Sequence, residues 1–243
     1  MGVVLILTFF LFPAVLSAET GKLETIRVLI VTGADYPGHP WYENSQAMRR
    51  ALVESGRFDV RVCEDVEILA TPVANRYDVV VLNYCNWETP SPRKEVLEGL
   101  ANFVRGGKGL VVIHFSCGAF PDWPEYAKLV GRVWDRVKTH DPYGSFRVKA
   151  SDKAHPITRK LDDFDIVDEL YFCLTGEAEI KVLLTARSKV TGKDEPMGFI
   201  LRYGEGRVFH TPLGHDSKGL TSPGFMQLLR RACEWAATGN VKD

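Results

Sequence analysis

The sequence predicts an α/β fold, a three-layer sandwich with helices on both faces of a mainly parallel central sheet. Two observations carry this. Runs of strand length that are apolar throughout, such as the VVVL that follows Asp78, need cover on both faces. Between them lie stretches whose apolar residues recur at helical spacing. Over residues 26–113 the order is strand, helix, strand, strand, helix, strand, which suits right-handed crossovers in a doubly wound sheet.

Ile26 to Val31 (IRVLIV) is a β-branched run, and Thr32 and Gly33 end it where the chain can turn sharply. After a loop over Ala34 to Pro40, apolar residues recur at Ala47, Met48, Ala51 and Leu52, one face of a helix that Gly56 stops. Phe58 to Val62 is a short second strand, and Asp78 to Leu82 a central third. Ser91 is placed to cap a helix with Pro92 in its first turn. Val96, Leu97, Leu100, Phe103 and Val104 form its buried stripe, and Gly106 and Gly107 close it. Leu110 to Ile113 is the next buried strand. From Pro121 to Pro142 the pattern loosens around one short helix. Ser145 to Lys149, Asp168 to Cys173, Ile180 to Thr185 and Met197 to Tyr203 read as shorter strands that extend the sheet or form an antiparallel edge. Arg207 to Thr211 is a strand again. Ser222 and Pro223 start a last helix, packed through Phe225, Leu228, Leu229, Ala232, Trp235 and Ala236.

The 243 residues are 45% apolar and 25% charged, the balance of a globular protein with a full core. Lys and Arg number 30 against 31 Asp and Glu, which leaves no cationic excess to neutralise phosphates, so no nucleic acid partner is expected. Met1 to Ala18 carries no charged side chain. Its apolar core from Val3 to Phe12 is short for a bilayer span, and Pro13 with the small residues Ser17 and Ala18 has the form of a cleavage region. Residues 1–18 therefore read as a signal peptide. The protein is expected to be exported, periplasmic or extracellular, with no stable membrane span after processing. An uncleaved anchor is the alternative, because no Lys or Arg precedes the apolar run and Leu16 is large for its place before the cut. Five cysteines without a C-x-x-C pair write neither a zinc ribbon nor a dithiol motif, and an odd count argues against a disulfide scaffold. Nothing in the sequence bears on oligomeric state.

In open α/β sheets, ligands bind where loops leave the carboxyl ends of the strands, because helices occupy both faces. The polar residues gather there: His39 after the first strand, Asn83, Asn86 and Trp87 after the third, His114, Ser116 and Cys117 after the fourth, and His215 and Asp216 after the last.

Four segments then take on meaning together. They are Thr32-Gly33 with His39 beyond, GLVVIH ending at His114, DELY from Asp168 to Tyr171, and YGEGRVFHTPLGH from Tyr203 to His215. In this order they resemble the ThuA-like, or trehalose-utilisation, family over residues 26 to about 238, with a domain spanning 24–239. The resemblance implies a flavodoxin-like, class I glutamine amidotransferase-like fold and a role in carbohydrate metabolism, including routes through 3-keto sugars. It implies a small-molecule carbohydrate as the partner, and no nucleotide cofactor is expected.

An amidotransferase reaction needs a thiolate nucleophile at a strand-to-helix turn, with a histidine base. Here His114 stands where that nucleophile is expected, and Gly214 to Asp216 (GHD) replaces the His-Pro-Glu of amidotransferases. A displaced pair of Cys117 and His215 keeps a Cys-dependent hydrolase among the alternatives. The other chemistry is a metal or acid/base site of His39, His114, Glu169 and His215, since neutral imidazoles and a carboxylate suit a divalent ion such as zinc. With a 3-keto-glycoside, His114 or His215 would be the base that removes the C2 hydrogen, and Glu169 would complete the catalytic set. Trp41, Trp87 and Trp123 lie in loops where aromatic faces can stack on a sugar ring. Asn83, Ser116, Tyr171 and Asp216 are further substrate-binding candidates. Strand alternation lets only one of Asp168 and Glu169 point into the site. A noncatalytic sugar-binding or sensory domain is the reading from outside enzyme chemistry.

Overall fold

The computed structural model describes Gly2 and residues 24–36, 38–87, 89–135, 137 and 139–242. The expected leader over residues 1–18 lies, Gly2 apart, outside the described residues. The strands are β1 (Ile26–Val31), β2 (Phe58–Cys63), β3 (Val79–Leu82), β4 (Gly109–Ile113), β5 (Val133–Trp134), β6 (Gly144–Ala150), β7 (Phe164–Asp168), β8 (Leu174–Thr175), β9 (Lys181–Arg187), β10 (Asp194–Tyr203) and β11 (Gly206–Thr211). The helices are α1 (Trp41–Val53), α2 (Lys94–Arg105), α3 (Glu125–Val130), α4 (Ser217–Leu220) and α5 (Pro223–Thr238). No helix among the described residues is long and apolar enough to cross a membrane.

Nine strands form one sheet in the order β2-β1-β3-β4-β11-β10-β9-β6-β7. The five from β2 to β11 are parallel, and β10, β9, β6 and β7 continue the sheet antiparallel. The short strands read from the sequence thus widen the sheet. Alternation along β1 sends Val28 and Ile30 into a core with α1 and α5, and Leu29 and Val31 into a second core with α2 and α3. This is the three-layer sandwich, and it explains why β3 and β4 are buried at every position. In register, Val31 pairs Leu82, Leu82 pairs Val112, and Ile113 pairs Thr211, so the parallel strands end at one edge.

Two elements differ from the sequence expectation. The helix expected from Ser91 begins at Lys94, with Arg93 in extended conformation at its cap (ψ 155°) and no side-chain cap. Ser91 precedes a proline, which disfavours helical backbone there, and its hydroxyl goes to Asp122 instead. The strand expected over Asp168 to Cys173 instead ends at Asp168. The Asp168 carboxylate accepts the N–H of Glu169 itself (2.8 Å), which diverts the chain from the ladder, and Tyr171 keeps only an isolated bridge to His140.

Candidate active site

Each of four strand ends delivers one side chain. At the end of β1, Gly33 adopts φ +113°, and a Cβ there would stand 2.0 Å from the Glu64 carbonyl oxygen, so only glycine allows the turn that leads to His39. His114 follows β4 in a left-handed conformation (φ +48°) that non-glycine residues adopt at a cost, as strained residues at functional sites do. Its Nδ1 donates to the Pro212 carbonyl (2.8 Å), which ties the ends of β4 and β11 together and leaves the lone pair of the neutral ring on Nε2.

Asp168 closes β7 and is fully buried. Its carboxylate accepts the backbone N–H groups of Gly214 (2.7 Å), His215 (3.2 Å) and Glu169 (2.8 Å). One buried anion therefore positions both Glu169 and His215, while Asn44 on α1 donates to the His215 carbonyl (3.0 Å). Of the two neighbouring acids, Glu169 faces the histidines.

The donor atoms of His39, His114, Glu169 and His215 lie within 4.8 Å of one another. His39 Nε2 is 3.2 Å from His114 Nε2, Glu169 Oε2 is 3.5 Å from His114 Nε2, and His215 Nδ1 is 3.2 Å from Glu169 Oε2. Ligands about 2.1 Å from a tetrahedral zinc stand roughly 3.4 Å apart, so these edges suit a divalent first-row ion. The hydrogen bonding points the same way. The single lone pair of His114 Nε2 faces both His39 Nε2 and the Tyr171 hydroxyl (2.8 Å). His39 Nδ1 and His215 Nδ1 are buried without a directed hydrogen bond, the latter despite its closeness to Glu169. The donor set fits such an ion.

Burial, reinforced by His114 and His215, lowers the His39 pKa to about 3, so its imidazole is neutral at neutral pH. Burial alone would raise Glu169 and lower His215. The pairing of the carboxylate with His114 and His215 outweighs this, holding Glu169 well below the usual carboxylate range and raising His215.

Beside the cluster opens a chamber of about 170 Å³. It is lined by Tyr36, His39, His140, Glu169 and Tyr171 together with Phe115, Trp87, Trp134, Cys85 and Gly118, and the two kinds of residue touch, Phe115 stacking on His39 and Trp134 meeting Tyr171 edge-on, each with ring centroids 4.7 Å apart. His140 escaped sequence reasoning because it lies in the aperiodic stretch before Pro142. Its backbone is bridged to Tyr171, its Nδ1 donates to the Asp141 carbonyl (2.7 Å), and its Nε2 is 3.5 Å from Glu169 Oε1. Asp141 is itself anchored by Ser188 Oγ (2.6 Å) and the Lys189 N–H (2.6 Å). Trp134 and Phe115 also carried no local signal.

Other expected contacts fall elsewhere. Asn83 and Ser116 are fully buried behind the chamber. Asn83 donates to Thr32 Oγ1 (3.4 Å), and Ser116 Oγ donates to the Leu82 carbonyl (2.9 Å) while accepting the Tyr84 N–H (2.9 Å), so both serve the scaffold. Asp216 caps α4 through the Lys218 N–H (2.9 Å) and accepts the Tyr143 hydroxyl (2.8 Å). Trp41 donates to Asp35 in a neighbouring groove that shares Tyr36 and His39 with the chamber. Trp123 packs on Phe120 and Tyr126. Cys117 is fully buried with Tyr171 and Cys173, and burial pushes its thiol well above the ordinary range, which disfavours the thiolate an amidotransferase needs.

The sequence model of the ThuA family, described as trehalose utilisation, matches residues 27–236. A ThuA-like protein from Parabacteroides merdae is 28% identical, with a TM-score of 0.78 over 90% of this chain and 92% of its own. A second, from Bacteroides uniformis, is 17% identical, with a TM-score of 0.71 over 93% of this chain and 98% of its own. A glutamine amidotransferase from Thermotoga maritima shares the fold at 14% identity and a TM-score of 0.51, over 78% of this chain and 76% of its own. No curated protein matches the sequence. The family match spans residues 27–236, most of the chain, and the chain belongs to the ThuA family.

Proposed function

We propose that the protein is an exported, carbohydrate-active enzyme that cleaves a glycoside or keto-sugar, with a divalent ion such as zinc held by His39, His114, Glu169 and His215. The observation that carries this reading is the convergence of three imidazole nitrogens and one carboxylate oxygen within 4.8 Å beside a chamber. The trehalose-utilisation description of the family directs it toward carbohydrate. A divalent ion bound there supplies electrostatic stabilisation of negative charge on a substrate oxygen.

A 3-keto-glycoside suits such a site. Its carbonyl acidifies the C2 hydrogen, and a base that takes this proton leaves the electron pair delocalised onto the keto oxygen. Collapse of that enediolate forms the C1–C2 double bond and breaks the C1–O bond. The products are an unsaturated keto-sugar and an alcohol whose oxygen receives the proton. His140 is suited to the base role, because its Nδ1–H is committed to the Asp141 carbonyl and its other nitrogen, Nε2, stands 3.5 Å from Glu169 Oε1 in a residue that lines the chamber. His114 and His215, the residues that sequence alone suggests for this step, instead turn their nitrogens into the ligand cluster. The Tyr171 hydroxyl stands 2.8 Å from His114 Nε2, so an ion on that nitrogen would displace this hydrogen bond and leave the hydroxyl for a substrate oxygen in the chamber that Tyr171 lines.

The test is metal analysis of purified protein together with turnover of 3-keto-glucosides. His114→Ala and His215→Ala should lose metal and turnover together, whereas His140→Ala should keep the metal and lose turnover. A folded protein, supplied with zinc and other divalent ions, that neither binds nor converts any 3-keto-glucoside refutes the reading. Fractionation of the native host checks export.

A further inference from the structure

The chamber beside the ligand cluster measures about 170 Å³ in all. A cavity of roughly 150 Å³ is filled by one benzene, and a hexose has about twice as many heavy atoms, so the chamber takes one sugar ring at most. The rest of any glycoside bound there must lie outside it. Beyond the wall formed by Tyr36 and His39, whose ring centroids are 5.4 Å apart, runs a groove of about 390 Å³. It lies over the first turn of α1, where Trp41 and Tyr42 meet at 85° with centroids 5.9 Å apart and Tyr42 is 54% exposed. The Trp41 Nε1–H donates to Asp35 Oδ1, which fixes the indole and leaves Oδ2 as an acceptor, and Glu43 adds a second exposed carboxylate.

We infer that this groove is the subsite for a second sugar ring, the leaving group of the glycoside whose keto-sugar occupies the chamber, so that the substrate is at least a disaccharide. The leaving-group role rests on the cleavage reading above; the sugar subsite itself rests on the groove walls. A pyranose presents an apolar face of C–H groups and a rim of hydroxyls. Exposed rings set beside carboxylates match both, the rings taking the C–H face and the carboxylates accepting the hydroxyls. Two other depressions border the chamber and suit a sugar less. In the one beyond Trp87, Gly118 and Trp134, none of the described lining residues is charged, so sugar hydroxyls there would lose their partners. In the one beyond Cys85 and Trp87, Asn86 is spent on the Thr89 carbonyl (3.2 Å) and the Phe120 N–H (2.8 Å), and Asp65 accepts the Glu67 N–H (2.9 Å). Of the three, the groove at Trp41 alone has a candidate metal ligand, His39, in its wall. The C1–O bond that breaks is next to the carbon that loses its proton, so its leaving group belongs beside that cluster.

Calorimetric titration of the full protein with methyl glucoside, and separately with trehalose, maltose and cellobiose, reads the subsite without turnover. The expected result is that at least one disaccharide binds tenfold or more tighter than methyl glucoside, and that Trp41→Ala and Tyr42→Ala each cut this ratio at least fivefold. Tyr42 stands on the surface, so its variant keeps the test open should Trp41→Ala melt early. Disaccharides that bind no tighter than methyl glucoside overturn the inference, as does a ratio that Tyr42→Ala and a folded Trp41→Ala leave intact. A ratio that Glu64→Gln alone abolishes also overturns it, since Glu64 lines the depression beyond Cys85 and Trp87. A disaccharide preference in a protein that cleaves no 3-keto-glycoside supports the subsite and refutes cleavage, whereas cleavage without that preference refutes the subsite alone.

Discussion

Asp168→Asn changes one atom at the point where the scaffold meets the candidate metal ligands. The carboxylate uses Oδ1 for the N–H groups of Glu169 and His215 and Oδ2 for that of Gly214. An amide keeps a single acceptor. In its better orientation it holds Glu169 and His215 but sets an NH₂ against the Gly214 N–H. The site cannot open to relieve this, because α4 packs so closely that a Cβ on Gly219 would lie 2.8 Å from Oδ2. An orphaned buried donor costs about 1–3 kcal/mol, and loss of charge on the remaining two hydrogen bonds adds to it. Burial raises the Asp168 carboxyl, so a neutral amide recovers part of the desolvation cost, and the net loss expected is about 1–3 kcal/mol. Since Glu169 and His215 share this anchor, zinc affinity should fall by roughly 10–100-fold, as when outer-shell partners of metal ligands are removed. Urea unfolding and competition with a chelator measure the two effects. A variant with the wild-type urea midpoint and unchanged zinc affinity would refute the idea that Asp168 sets the ligand geometry.

His210 is buried, with its Nδ1 donating to the Val130 carbonyl (2.9 Å), and burial lowers its pKa to about 4. The unfolded chain takes up this proton near pH 6.5, so stability should hold above that pH, fall by about 3 kcal/mol down to pH 4, and level below. His210→Phe should flatten the urea-derived slope between pH 4.5 and 6 by roughly 1.4 kcal/mol per pH unit, whatever its effect on the baseline. Iodoacetamide should leave Cys117 unmodified in the native protein and label it after denaturation, read by peptide mass; native labelling that abolishes turnover would restore the thiol mechanism. Gly33→Ala forces a Cβ against the Glu64 carbonyl at positive φ and should cost more than about 1 kcal/mol while displacing the His39 loop, seen as loss of zinc affinity.

The parallel half of the fold was legible in the sequence because burial on both faces leaves strands such as β3 and β4 no choice but apolar residues, and helices such as α5 no choice but a spaced stripe. The same logic exposed His39, His114 and His215 as polar residues where those runs stop. Local pattern failed where a tertiary partner outbid it. Asp168 ends β7 because it caps the N–H of its neighbour Glu169 together with those of Gly214 and His215, and the latter two lie outside any window around residue 168. His140 and Trp134 reach the chamber only because Tyr171 and the Ser188 turn pull an aperiodic segment onto the strand ends. Residue type thus determined which chemistry the protein could hold. Which nitrogen of His114 carries its proton and how Asp168 sets Glu169 beside His215 were decided by hydrogen bonds between residues tens of positions apart, and sequence proximity does not encode these.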